Sequence, residues 1–390
     1  MTTTALSHTL KRVKESPTMA ITAKATQMRQ MGRDVISLSA GEPDFPTPAH
    51  IKKAGIDAIN NNFTTYTPVA GIPDLLSAIA HKLKRDNQLS YDNTQILVSC
   101  GAKHSIYNAY QALLNPEDEV IIPAPYWVSY PDMAALSGAT PVIIETCQNQ
   151  SFKITPEQLE KAINEKTKLF ILNSPSNPTG MVYTSDELQA LAQVLLKYPQ
   201  VTIISDDIYE HIVWTAFSNI VTVCPELYDR TLIINGVSKA YAMTGWRIGY
   251  TAGPQKIINA MKKIQSQSTS NPCTISQHAA LAALNGPQKC IDEMLKVYQR
   301  RQQLSLSHLN NIEGISCMPT EGAFYLFPNV GDIINRLGLK DDIEFTELLL
   351  EKAEIAVVPG SGFGLSNHIR LSYATSDAQL EAAFERMAKL

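Results

Sequence analysis

From about residue 94 to residue 252 the chain alternates short β-branched runs with longer helical stretches, and no other feature restricts the fold as much. The runs are Ile96–Ser99, Glu119–Ile122, Thr140–Ile144, Leu169–Leu172, Val201–Ile204, Thr231–Ile234 and Ile248–Thr251. They are apolar rather than alternating, so both faces of each strand are expected to be covered, as in a largely parallel sheet with helices on either side. Helix starts between them are marked by Thr155-Pro156-Glu157-Gln158 and Thr184-Ser185-Asp186-Glu187. In each, the Thr oxygen and the acid or amide three residues on can satisfy orphan N–H groups reciprocally.

Beyond residue 254 the pattern is helical through Leu309, then mixes strands and helices, with a further capping box at Ser376-Asp377-Ala378-Gln379 before a last helix to Leu390. A second, smaller α+β unit is expected there. The division is 1–45 as an N-terminal arm that packs on the smaller unit or on a partner subunit, 46–290 as the large domain and 291–390 as the small one. With 390 residues, 44% hydrophobic, the chain has enough apolar surface for both cores without staples.

Its formal net charge of -4 argues against a general nucleic-acid binder. No apolar run approaches the ~18 residues of a membrane span, and the N-terminus lacks the plan of a secretory signal. The six cysteines are scattered, with no Cys-x-x-Cys pair, which points to free thiols in the cytoplasm and to no zinc site.

In α/β sheets ligands bind beyond the carboxyl ends of strands, so the residues after each run carry the functional information. After Ile96–Ser99, Cys100-Gly101-Ala102-Lys103 opens a helix whose free N–H groups suit a phosphate, although an ordinary strand–helix turn reads the same way. After Leu169–Leu172 comes Asn173-Ser174-Pro175-Ser176-Asn177-Pro178-Thr179-Gly180, a rigid irregular turn. After Val201–Ile204, Ser205-Asp206-Asp207-Ile208-Tyr209-Glu210-His211 gathers acids, a phenol and an imidazole without the ligand spacing of a zinc protease, and Asp207 and Glu210 read as solvated acids. After Thr231–Ile234, Lys239 sits among Ala, Met, Gly and Trp, an odd setting for a surface lysine. In His368-Ile369-Arg370-Leu371-Ser372-Tyr373, alternation turns Arg370 away from Ile369 and Leu371. There is no P-loop, and Gly360-Ser361-Gly362-Phe363-Gly364 is one residue short of the dinucleotide fingerprint, which disfavours a nucleotide enzyme.

Taken together, Ser238–Gly249, Asn173–Gly180, Asp206-x-x-Tyr209, Pro125–Tyr130 and Ala40–Phe45 resemble, nearly end to end, the class I aminotransferases that use pyridoxal 5′-phosphate. The resemblance implies the fold-type I architecture: a large, mainly parallel seven-stranded sheet domain with a smaller α+β domain. Gly41–Phe45, Tyr66-Thr67-Pro68 with Gly71, and the Trp127 motif look most like the bacterial aspartate aminotransferase subgroup that also contains prephenate aminotransferases.

What the resemblance implies residue by residue agrees with what the chemistry needs. Lys239 would hold the cofactor covalently and carry the proton, and Asp206 would keep the ring nitrogen protonated. Tyr209 and Asn177 would hydrogen-bond the ring oxygen, and Trp127 would stack on the ring. The phosphate would rest on Gly101, Ala102 and Lys103 and pair with Arg247, with Tyr66 reaching it from the neighbouring subunit of a homodimer with shared active sites. Arg370 would clasp the substrate α-carboxylate beside Gly41, Trp127 and Asn177, while Lys103 and Thr18 are the candidates for a distal carboxylate. Many relatives carry Ser-x-Ser-Lys around the lysine; Gly236 takes the first serine's place here, so one hydroxyl contact is missing and Ser238 is the substitute.

The implied reaction is a ping-pong exchange between L-aspartate and 2-oxoglutarate, giving oxaloacetate and L-glutamate. Alternatives are a prephenate or aromatic aminotransferase and a C–S β-lyase on the same fold. A non-catalytic cofactor-binding regulator is disfavoured, because only about 45 residues precede the motifs and no basic recognition helix is among them.

Overall fold

All seven runs form strands, and all seven join one sheet. The computed structural model of the chain describes residues 5–13 and 17–390, the side chains of Pro17 and Thr18 excepted. In chain order, α1 (Pro17–Gln30) and β1 (Ile36–Ser37) precede α2 (Ala49–Asn60) and α3 (Pro73–Asn87). There follow β2 (Ile96–Ser99), α4 (Ala102–Leu113), β3 (Glu119–Pro123), β4 (Thr140–Ile144) and β5 (Thr167–Asn173). The sheet is completed by β6 (Thr202–Asp206), β7 (Thr231–Gly236) and β8 (Gly249–Ala252).

The strand order is β2-β8-β7-β6-β5-β3-β4. From β4 to β7 every pairing is parallel, and β8 runs antiparallel to both its neighbours. β8 reverses because residues 237–248 return to the sheet without a crossover helix, which an antiparallel neighbour permits and a parallel one does not. Being antiparallel to β8 in turn, β2 points the same way as β7, and its carboxyl end therefore lies on the same side as those of β5, β6 and β7.

Alternation along the strands feeds two cores. Ile121, Phe170, Leu172, Ile203 and Ile233 pack against α3 and the helix Ser185–Leu196, while Val120, Ile122, Leu169, Ile171, Ile204, Leu232 and Ile234 pack against α4 and the helix Gln255–Ser266. A strand covered on both faces has no polar side to keep, hence the uninterrupted apolar runs. The boxes at Thr155 and Thr184 are reciprocal, but the one at Ser376 is half formed. Its hydroxyl accepts from the Gln379 N–H, while the Gln379 side chain takes the Thr375 hydroxyl and does not reach back.

The smaller sheets are built from β1 with β10 (Ile355–Ala356), and from β9 (Tyr325–Leu326), β11 (Val358–Pro359) and β12 (Ile369–Ser372) in the antiparallel order β11-β12-β9. Their core joins Phe324, Leu326, Ile369 and Leu371 to Leu380 and Phe384 of the last helix. The long helix Lys289–Leu309 contributes Ile291 to the large core and Met294 and Tyr298 to the small one, so the passage between them falls inside a helix. α1 lies against the smaller unit through Ala25 and Met28, which pack with Val35, Leu350 and Ala356. Among the described residues no helix is long and apolar enough to cross a membrane.

Candidate active site

The carboxyl ends of β2, β5, β6 and β7 open on one cavity of about 470 Å³, with β12 of the smaller unit on its far side. At the end of β5, Asn173 ties neighbouring segments together: its Nδ2 donates to the Asp206 carbonyl at 2.9 Å and its Oδ1 accepts from the Asn177 N–H at 2.9 Å. Asp206, the last residue of β6, is 4% exposed and accepts a 2.6 Å hydrogen bond from the Tyr130 hydroxyl. Burial raises its carboxyl to about 6, against the opposing pull of Tyr130. The neighbouring Tyr209 hydroxyl lies 2.8 Å from that of Tyr325, and burial pushes its pKa well up.

Lys239 follows the end of β7 and donates from Nζ to the Gly41 carbonyl at 2.5 Å. Its ammonium lies 5.7 Å from the centre of the Tyr209 ring and 5.9 Å from that of Phe324. Burial, seconded by the Arg370 charge, lowers its pKa to about 8. Arg370 in β12 is 2% exposed, on the central strand of its sheet rather than at an edge. Its Nη1 donates to Asn177 Oδ1 at 3.1 Å and its Nη2 to the Ser39 carbonyl at 2.7 Å, while Nε has no partner. A buried guanidinium with an unused donor is costly unless an acceptor comes to it.

On the β2 side, Gly101 has φ 87° and ψ 161°, a conformation open in practice only to glycine, and a Cβ there would lie 2.4 Å from Arg247 Nη2. Its absence lets Arg247 close over the start of α4, where Nη2 donates to the Cys100 carbonyl at 3.3 Å. Ala102 and Lys103 line the cavity there, and the Lys103 ammonium sits 4.9 Å from the centre of the Trp127 ring. Gly101→Ala should cost about 1–3 kcal/mol through backbone strain alone, measurable by urea unfolding, and displace the Arg247 guanidinium as well. An unchanged unfolding midpoint would show that the turn can relax.

The cavity therefore gathers Gly41, Ala102, Lys103, Trp127 and Asn177 with Asp206, Tyr209, Lys239, Arg247 and Arg370, and Gly101 backs it from beneath Arg247. Ser238 lines it too. Tyr66 is elsewhere, 90% exposed beside a separate surface hollow that includes Thr64, Asn271 and Thr274. The Thr18 side chain lies outside the described residues, although Met19 and Thr22 of the same helix reach the cavity.

Two expectations need correction. Asp207 and Glu210 are 2% and 5% exposed, so neither is a solvated acid. Sequence reasoning also missed Tyr130 as the partner of Asp206, Asn173 as the tie between strand ends, and Tyr325, which lies under both Tyr209 and Arg370. Tyr130 and Asn173 stood within quoted motifs. Tyr325 belongs to a two-residue strand and gave no local signal.

Fold and cavity together are those of an α/β enzyme whose chemistry sits at the carboxyl ends of its parallel strands. The chain matches the family model described as aminotransferase class I and II over residues 33–387, and it belongs to that family. It is 52% identical to the aspartate/prephenate aminotransferase of Nitrosomonas europaea over 393 residues, covering 99% of each chain. It is 49% identical to the aspartate aminotransferase of Bacillus subtilis over 376 residues, with 96% of this chain and 95% of that protein covered. Among solved structures, the aspartate aminotransferase of Rhizobium meliloti superposes with a TM-score of 0.95 at 45% identity, covering 99% of this chain and 98% of that one. That of Thermus thermophilus with maleate gives 0.94 at 41%, covering 99% and 100%.

Proposed function

We propose that this aminotransferase uses pyridoxal 5′-phosphate to exchange an amino group between L-aspartate and 2-oxoglutarate. The observation that carries the reading is that the Lys239 amine shares one cavity with a buried carboxylate, Asp206, and a buried guanidinium with a free donor, Arg370. The residues fit such a cofactor: a Gly101 cradle with Arg247 for a phosphate, Trp127 for a ring face, and a carboxylate whose pKa a neighbouring cation would bring back down. When bound, that cofactor supplies an aldehyde for the amino group and a cationic ring that withdraws electrons from the substrate α-carbon.

The protein's own part follows from the geometry. Lys239, with its pKa near 8, has an appreciable unprotonated fraction at neutral pH, enough to act as a nucleophile and then to move the α-proton. Asp206, held by Tyr130, presents its carboxylate where positive charge is to be kept. Tyr209 offers its hydroxyl and Asn177 its amide N–H to an oxygen of the ring. The first-turn N–H groups of α4 with Arg247 grip the phosphate. Arg370 clasps the α-carboxylate beside Gly41 and so orients the α-hydrogen. Lys103 and Thr18 are assigned to the distal carboxylate, and the position of Lys103 in the cavity supports its half of that assignment.

Arg370→Leu should lose about 2–5 kcal/mol of carboxylate binding, seen as raised KM for amino and oxo acids alike. Unchanged kinetics would move the α-carboxylate elsewhere. A second reading, in which an aromatic donor or prephenate is served as well, is favoured by the double name of the Nitrosomonas relative. Steady-state rates with each donor test the choice: rejection of aspartate alongside turnover of an aromatic donor would overturn the first reading.

A homodimer with Tyr66 lent to the partner's phosphate belongs to the same proposal. It is supported by the exposure of Ile56, Ile59 and Phe63, together with Tyr66, which leaves an apolar surface around α2 for a second copy to cover. So do the division at 45/46 and 290/291, the second of which is supported by the helix Lys289–Leu309 passing from one core to the other just beyond it, between Ile291 and Met294, and a cytoplasmic site, supported by six free cysteines.

A further inference from the structure

Behind the cavity wall lies a charged cluster that the reaction just described does not use. Lys82 of α3, 2% exposed, forms a direct ion pair with Glu210, 5% exposed. Glu210 also accepts from Asn87 Nδ2 at 2.7 Å and from Asn235 Nδ2 at 2.6 Å, and Lys82 Nζ donates to Asn87 Oδ1 at 2.8 Å. On the outer side, the Asp86 carboxylate is 3.8 Å from Lys82 Nζ, and His211 Nε2 is 3.4 Å from Asp86 and 3.5 Å from Glu210. A buried pair of this kind is poor value for stability alone, since apolar residues of similar volume often serve as well or better.

Its geometry suggests another purpose, because three segments meet on one carboxylate. The first is its own turn, in which Glu210 directly follows Tyr209 and stands four residues after Asp206. The turn is stitched by the Glu210 N–H to the Asp207 carbonyl and by the Asp207 N–H to the Ile234 carbonyl, both at 2.9 Å. The second is the end of β7, where Asn235 stands four residues before Lys239 and also accepts the Gly236 N–H at 2.7 Å. The third is α3, through Lys82 and Asn87.

We infer that Glu210 is a positioning residue for amino-group transfer: its carboxylate locks the Asp206–Tyr209 turn to the strand end that leads to Lys239 and to α3. The separation between the cavity's acid and its amine is thereby fixed from beneath. The inference rests on the proposed roles of Asp206, Tyr209 and Lys239. Displacements of about 1 Å at reacting groups can cost about 100-fold in rate, so a rigid tie here bears on turnover even though Glu210 touches no reactant.

Two variants test it, each loaded with pyridoxal 5′-phosphate. Glu210→Gln keeps the side-chain shape and removes its charge. Asn235→Ala cuts the tie to β7, together with the contact Asn235 makes to the Gly236 N–H, and leaves Glu210 paired with Lys82 and Asn87, so it decides the matter should the first fail to fold. Expected are a kcat about 10- to 100-fold lower for Glu210→Gln and about 3- to 10-fold lower for Asn235→Ala, with KM for aspartate within about twofold of wild type because the Arg370 contact is untouched. The pH midpoint of the visible absorption should move by about half a unit or more, since Asp206 and Tyr209 shift relative to Lys239. Wild-type kcat and midpoint with only a lower unfolding temperature would make the cluster a stability feature and overturn the inference. A wild-type protein with no visible band at all would instead overturn the reading of Lys239.

Discussion

Lys239→Ala is expected to reduce turnover by about 10⁴-fold or more and to abolish the pH-dependent visible band of the loaded enzyme. Nucleophile and proton carrier are one amine in this reading, so its loss removes both contributions at once, and proton transfer alone is commonly worth about 10²–10⁴-fold. Among the described residues no other amine of the cavity stands where it could replace Lys239. Lys103, the other lysine of the cavity, sits over Trp127 at the start of α4. A pH signature accompanies the prediction. Burial and Arg370 lower the pKa of Lys239 to about 8, so the neutral, reactive amine increases as pH rises and is the majority form above that value. Covalent capture of the aldehyde by the cofactor-free protein should therefore accelerate up to about pH 8 and then level off. Retention of both turnover and the band in the variant would refute the assignment.

Asp206→Asn should give the second largest loss, a kcat lower by about 10²–10³-fold with cofactor still bound, because shape is kept while the charge facing the ring is removed. The same change should stabilise the cofactor-free protein. In the fold the Asp206 carboxyl is raised to about 6 from an ordinary 3.8, so the folded chain binds more protons than the unfolded one between those values. Wild-type stability accordingly falls as pH rises through that window, by about 3 kcal/mol in all, and stays lower above it. The asparagine variant escapes that loss, and at pH 7 its cofactor-free form should unfold at the higher temperature. Near-normal turnover, or a cofactor-free variant less stable than wild type at pH 7, would contradict the view of Asp206 as a buried charge awaiting a cation.

The large sheet was legible because strands with both faces covered must be apolar throughout; Leu169–Leu172 and Thr231–Ile234 differ from β5 and β7 only by a few residues at their ends. The site was legible where chemistry follows directly on a strand, as with Asp206, Asn177 and Lys239. It was opaque where the contact spans distant segments. Tyr325 meets Tyr209 across 116 positions of sequence, from a strand of two residues. Burial of Glu210 was hidden for the same reason, since its cationic partner stands 128 positions away on α3. A local pattern shows an acid after a strand; only the fold shows a lysine beneath it.

The stretch from Leu38 to Gly41 lies between the two units and holds on to both. The Leu38 carbonyl accepts from the Ser372 N–H at 2.7 Å, the Ser39 carbonyl binds Arg370, and the Gly41 carbonyl takes the Lys239 ammonium. Four consecutive residues thus act as a ruler whose marks are carbonyl oxygens, setting how far the Arg370 guanidinium stands from the Lys239 amine. Inserting or deleting a residue in that stretch would change this spacing at a stroke, and the aim of that amine relative to that guanidinium would change with it.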